Sequence, residues 1–112
     1  MVFKIEELEH ALHKYMNVVG EIENKSDRKN INKRQAFMNA FVDEADIYQL
    51  RDLFSIKDTN NIRYAFKKHK EKLLTYLDYN ENFSVAKSIR IKMLNKKSDE
   101  KLFKEAKTFE IY

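Results

Sequence analysis

The side chains best suited to chemistry lie between Asn60 and Lys70, where two amides, an aromatic hydroxyl and four cations fall on one predicted helix. Asn60 and Asn61 offer donor and acceptor groups of the kind that meet base edges. Arg63, Lys67, Lys68 and Lys70 carry charge that neutralises phosphates, and Tyr64 stands among them. A second basic cluster, Lys25, Arg28, Lys29, Lys33 and Arg34, precedes them. From it Lys29, Lys33 and Arg34 join the candidate contact set, because duplex binding requires the two clusters to share a face. The bland counterpart is a lysine-rich polar face that is simply the solvated side of a surface helix, and Glu71 lies within it. Under that view the chain is a non-enzymatic accessory protein that binds another protein, such as an inhibitor of an enzyme.

Other reactive side chains have ordinary explanations. His10 and His13, with Glu6, Glu7 and Glu9 nearby, are metal-ligand types at helical spacing. Glu7-x-x-His10 supplies one half of a carboxylate-bridged di-iron pattern, but no second Glu-x-x-His follows. No metal and no other cofactor is expected. Ser26, Ser55, Ser84, Ser88 and Ser98 fall in loop, cap or helix-surface contexts, without an oriented base beside them. Asp43, Glu44 and Asp46 read as a helix end followed by a helix cap. His69 falls on an apolar stripe, the place of a hydrogen-bonded core or boundary histidine. The expectation is a chain without enzymatic activity.

Composition narrows the field further. The 112 residues include no cysteine, no proline and one glycine, so disulfide scaffolds, thiolate chemistry and glycine-rich phosphate loops all fall away. No apolar run approaches a membrane span, and the opening Met1 to Glu7 lacks the pattern of a signal peptide, which predicts a cytoplasmic protein away from membranes. The formal net charge of +4 is segregated: residues 25–42 and 59–77 each carry five basic side chains against one acidic. Heavy use of lysine, asparagine and isoleucine resembles the output of an AT-rich genome, which fits a regulator from a phage, a mobile element or a low-GC bacterium.

These side chains need helices to position them. With almost no turn-forming punctuation and no sustained alternation, the length and the fourteen aromatics fit one all-α domain of 1–112, a compact bundle of five or six helices. Ile5, Leu8, Leu12, Tyr15, Val19 and Ile22 make a heptad-like seam on a first helix over about 3–23, packed on the domain or on a second copy, so monomer and helical homodimer both stand. Asn24 to Asn30 reads as a loop. A second helix is predicted over about 32–44 with Phe37, Ala40 and Phe41 as its apolar face, and Asp46 caps a short third helix. Asp58 or Thr59 caps the central amphipathic helix, which runs to about Leu77 with Ile62, Ala65, Phe66, His69, Leu73, Tyr76 and Leu77 on one stripe. Asp78 to Asn82 reads as a loop before a fifth helix over about 83–94. Ser98 caps a sixth, with Leu102, Phe103, Ala106 and Phe109 as its face.

The pair from Asp46 to Phe54 and from Thr59 to Leu77 resembles a helix-turn-helix, in which the second helix enters the major groove of DNA. The resemblance implies Leu50, Phe54, Ile56 and Ile62 as packed positions and Ser55 as the small residue of the turn. Arg51 departs from it by standing where a small residue is common, and the connector to Ile62 is one residue longer than usual. The segment Lys33 to Phe41 also looks faintly like the opening of the helix-turn-helix domain in phage terminase small subunits. What the resemblance implies is duplex DNA as a partner, met by Asn60, Asn61, Arg63, Tyr64, Lys67, Lys68 and Lys70.

Overall fold

A computed structural model describes the backbone of residues 2–110 and the side chains of residues 2–99. Five helices follow in order: α1 (Ile5–Val19), α2 (Arg28–Ala40), α3 (Ile47–Leu53), α4 (Thr59–Thr75) and α5 (Leu77–Glu110), with no strand among the described residues. The all-α expectation holds.

The heptad-like seam of α1 is used inside the chain. Leu8 and Tyr15 are fully buried, and Leu12, Val19 and Ile22 are half-buried against the same core. The helix stops at Val19 because Gly20 takes φ +94, a backbone conformation that only glycine adopts without strain, while its N–H still bonds Met16. A Cβ there would also stand 3.3 Å from the ammonium of Lys33.

α2 begins four residues before its predicted start. Asp27 accepts from the Asn30 N–H at 3.0 Å and from its side-chain amide at 2.8 Å, and this cap turns part of the expected loop into the first turn of helix. The helix packs against α1, α4 and α5. Phe37 and Phe41 stack at 4.7 Å between ring centres, and Tyr15 lies 5.3 Å from Phe37. Tyr15 also donates its hydroxyl to the carbonyl of Lys33 at 2.8 Å, which satisfies the one polar atom of a buried ring.

The largest correction falls on the C-terminal third. Asp78 to Asn82 is helical, and the predicted fifth and sixth helices are one continuous α5. The chain turns two residues before that stretch, at Tyr76, whose φ −118 and ψ 115 are extended. Burial of Tyr79 and Ala86 on one helical face holds these polar residues in helix, and Asn80 reaches back to the Leu73 carbonyl at 3.1 Å. Leu77, placed on the stripe of α4, instead opens α5 and is 76% exposed. Ser98 lies within α5 and caps nothing, and Leu102, Phe103, Ala106 and Phe109 fall outside the described side chains. At 1.5 Å per residue a helix of 34 residues is about 50 Å long, which accounts for most of the 59 Å long axis.

Two ion pairs among the described residues fasten α5 to the rest, and the more buried joins Arg90 to Glu44. Arg90 donates through Nε and Nη2 to the two carboxylate oxygens of Glu44, at 2.7 and 2.6 Å, with Glu44 buried in the turn after α2. The backbone carbonyl of Glu44 takes the Phe3 N–H at 2.7 Å, so one residue ties the start of the chain to its last helix.

Candidate nucleic-acid interface

α3 and α4 owe their ends to local chemistry. Asp46 and Gln49 form a reciprocal capping box at 2.8 and 2.9 Å, and Gln49 also donates to the Phe3 carbonyl. At the other end of α3 the Ile56 N–H bonds the Arg51 carbonyl at 2.9 Å and the Ser55 N–H bonds the Asp52 carbonyl at 3.3 Å. This is a Schellman closure, and Ser55 sits at its left-handed position with φ +53. Asp58 then caps α4 by accepting from the Asn60 N–H at 2.9 Å. Leu50 and Ile62 are fully buried and Phe54 and Ile56 pack half-buried against the core, so these four residues join the two helices.

The buried side of α4 carries Ile62 and Ala65, and its outer side carries Asn60, Arg63, Lys67 and Lys70 in an exposed row at spacings of three and four. Arg63 bonds Thr59 at 3.0 Å and Asn60 at 3.2 Å. Among the described residues Lys67 and Lys70 form no ion pair. Lys68 differs, since Glu71 holds it at 3.1 Å, its ammonium lies 5.7 Å from the Tyr64 ring centre, and the Glu71 contact raises its pKa. Asn61 and Tyr64 are exposed on the adjoining edge, and their side chains have no hydrogen-bond partner among the described residues.

The first basic cluster is broken up. Lys33 is buried with its ammonium on the Glu21 carbonyl at 3.1 Å, and Arg34 donates to the carbonyls of Glu23 and Lys25 at 2.9 and 3.0 Å. Both hold the segment between α1 and α2, and Lys33 has no surface to offer a phosphate. Lys29 is exposed, but it borders a recess with Thr75 and Tyr76 at the far end of α4, and Arg28 stacks on Tyr76 at 5.0 Å. Of the three, only Arg34 meets the α4 residues, around a groove that Asn61 and Tyr64 also line.

That groove, about 720 Å³, lies between α2, the α3–α4 turn and α4. Sequence reasoning missed it, and also missed the polar network beside it. Lys72 donates to Asn32 at 2.8 Å, and Asn32 reaches Asp78 at 3.4 Å. Burial lowers the pKa of Lys72, opposed by Asp78 and Glu71. Asn39 donates to the Tyr79 hydroxyl at 3.0 Å and to the Ala65 carbonyl at 3.1 Å. The Tyr79 hydroxyl lies 2.7 Å from His69 Nδ1, and since its oxygen accepts from Asn39, its hydrogen is left for the imidazole. Burial pushes the Tyr79 phenol pKa up and the His69 pKa down. Gln35 Oε1 is buried and accepts from no donor among the described residues. The one signal in the sequence was three polar residues, Asn32, Gln35 and Asn39, on a helix that also carries Phe37 and Phe41.

Glu7, the carboxylate of the metal-like pattern, is held by Lys97 at 2.8 Å, and that contact lowers its pKa. Among the described residues no helix is long and apolar enough to cross a membrane. Comparison with protein-family models, with curated proteins and with solved structures finds no match for this chain.

Proposed function

We propose that this chain binds duplex DNA through the outer side of α4, with α2 and α3 holding that helix from behind. One observation carries the reading: Arg63, Lys67 and Lys70 stand in a single exposed row, none matched to a carboxylate among the described residues, on a helix whose opposite side is buried. Such a row neutralises successive phosphates, while Asn61 and Tyr64 at the same end are available to base edges. The left-handed Ser55 supports it, at the turn position where a helix-turn-helix carries its small residue. Lys33 leaves the contact set and Lys68 becomes secondary.

The test is fluorescence anisotropy of labelled duplex at two salt concentrations. Replacing Lys67 and Lys70 together by alanine lowers the slope of log affinity against log salt by about 2, roughly one per lost phosphate contact, while Lys68→Ala changes it by less. Absence of binding at low salt retires the reading. A protein-binding accessory role is the second reading, favoured by Leu74 and Leu77, 90% and 76% exposed where α4 meets α5. In that case Leu74→Ser abolishes capture of a partner and leaves the salt slope of any DNA binding unchanged.

A further inference from the structure

The groove between α2 and α4 shares Asn61 and Tyr64 with the proposed duplex contact, and the rest of its lining is chemically selective. Ile31, Met38, Phe54 and Ile56 give it an apolar wall, and its volume of about 720 Å³ falls within the range of small-molecule sites. The charged side chains that line it are Arg34, Lys57 and Lys72, with no carboxylate among them. A concavity with charge of one sign and low-dielectric walls concentrates the opposite charge, so the groove selects an anion. Lys72 is already held in place by Asn32, and Asp78 and Glu71 offset part of its charge, which leaves Arg34 and Lys57 as the other cations of the lining.

Two further features specify the body of that anion. Tyr64 and Phe54 offer aromatic rings at the groove, Tyr64 with its hydroxyl unengaged. Gln35 lines the same groove with a buried amide oxygen that has no donor. The last torsion of glutamine is broad, so the oxygen can turn to meet an N–H presented from the groove. A planar ring with an N–H donor and an attached oxyanion satisfies all of these groups together. We infer that the groove is a nucleotide site, with the base against Tyr64, Phe54 and the Gln35 amide and the phosphate drawn in by the combined positive charge of Arg34, Lys57 and Lys72. The same chemistry comes from two sources, a free mononucleotide or an unpaired nucleotide of a single strand. The site shares Tyr64 with the duplex reading, but its binding is measured without duplex, so either can fail while the other stands.

The experiment titrates the isotope-labelled full chain with adenosine, guanosine, cytidine and uridine monophosphates and follows amide shifts. At least one nucleotide gives saturable shifts below about 5 mM, confined to the segments 31–38 and 54–64 and to the helical turn around Lys72. Gln35→Leu weakens that binding about fivefold and Tyr64→Ala about tenfold, through the lost hydrogen bond and the lost stacking surface. Gln35→Leu removes a buried group that lacks a partner, so it keeps the fold, which its own spectrum verifies. The inference is overturned if no nucleotide saturates, if inorganic phosphate alone reproduces the shifts, or if neither substitution weakens binding. A single-stranded tetranucleotide that binds about a hundredfold tighter than the monophosphate upholds the site and assigns it to a strand, and comparable or weaker binding upholds it for the free nucleotide.

Discussion

Ser55 occupies a backbone position where glycine is the usual residue, with φ +53 and both Schellman hydrogen bonds closed around it. A Cβ in the left-handed region costs about 1 kcal/mol or more, so Ser55→Gly raises stability by roughly that amount and the melting temperature by several degrees. Gly20 gives the opposite sign, since Gly20→Ala introduces strain at φ +94 and crowds Lys33. His69 predicts a pH dependence. Its folded pKa lies below the ordinary 6.5, so as pH falls through that value the unfolded chain takes up a proton that the folded chain refuses. Stability is highest above that range and declines from about pH 7 toward pH 5, which urea midpoints measure and which His69→Gln flattens. The position of His69 on the apolar side of its helix was legible from spacing. Its partner was not, because Tyr79 lay in a stretch rich in turn-forming residues.

Among the helices, α1 and α4 were legible because each buries one face against one side of the molecule. α2 was legible in part: Phe37, Ala40 and Phe41 are buried as expected, but other helices cover it on several sides, so its buried positions also include Asn30, Asn32, Lys33 and Asn39, and its first turn read as loop. α5 was misread for a related reason: Asp78, Asn80, Glu81 and Asn82 have turn chemistry, yet contacts made by Tyr79 and Ala86 keep them helical. Helical continuity is checked by Glu81→Pro, which a loop would tolerate and which here costs about 3 kcal/mol. Glu44→Ala leaves the Arg90 guanidinium without its carboxylate and costs on the order of 3 kcal/mol, read from denaturant midpoints. The sequence placed Glu44 at a helix end, and nothing local marked its partner 46 positions away.

For the molecule as a whole, α2 is the common support, so its amides from Gln35 to Phe41 exchange with solvent most slowly and those at the ends of α1 exchange first. The radius of gyration of 16.1 Å exceeds the roughly 13 Å of a compact chain this long, as small-angle scattering will register, because α5 extends along one axis. The outer row of α4 was legible at this scale because it lies on one helix. The groove was not, since it forms only where three segments meet. One consequence concerns lysine labelling. An amine-reactive reagent modifies Lys67 and Lys70 in the native chain, whereas Lys33, 6% exposed and bound to a carbonyl, is shielded until the molecule opens. Mass spectrometry of acetylated peptides therefore turns Lys33 into a built-in clock for unfolding, read at a single nitrogen without any introduced probe.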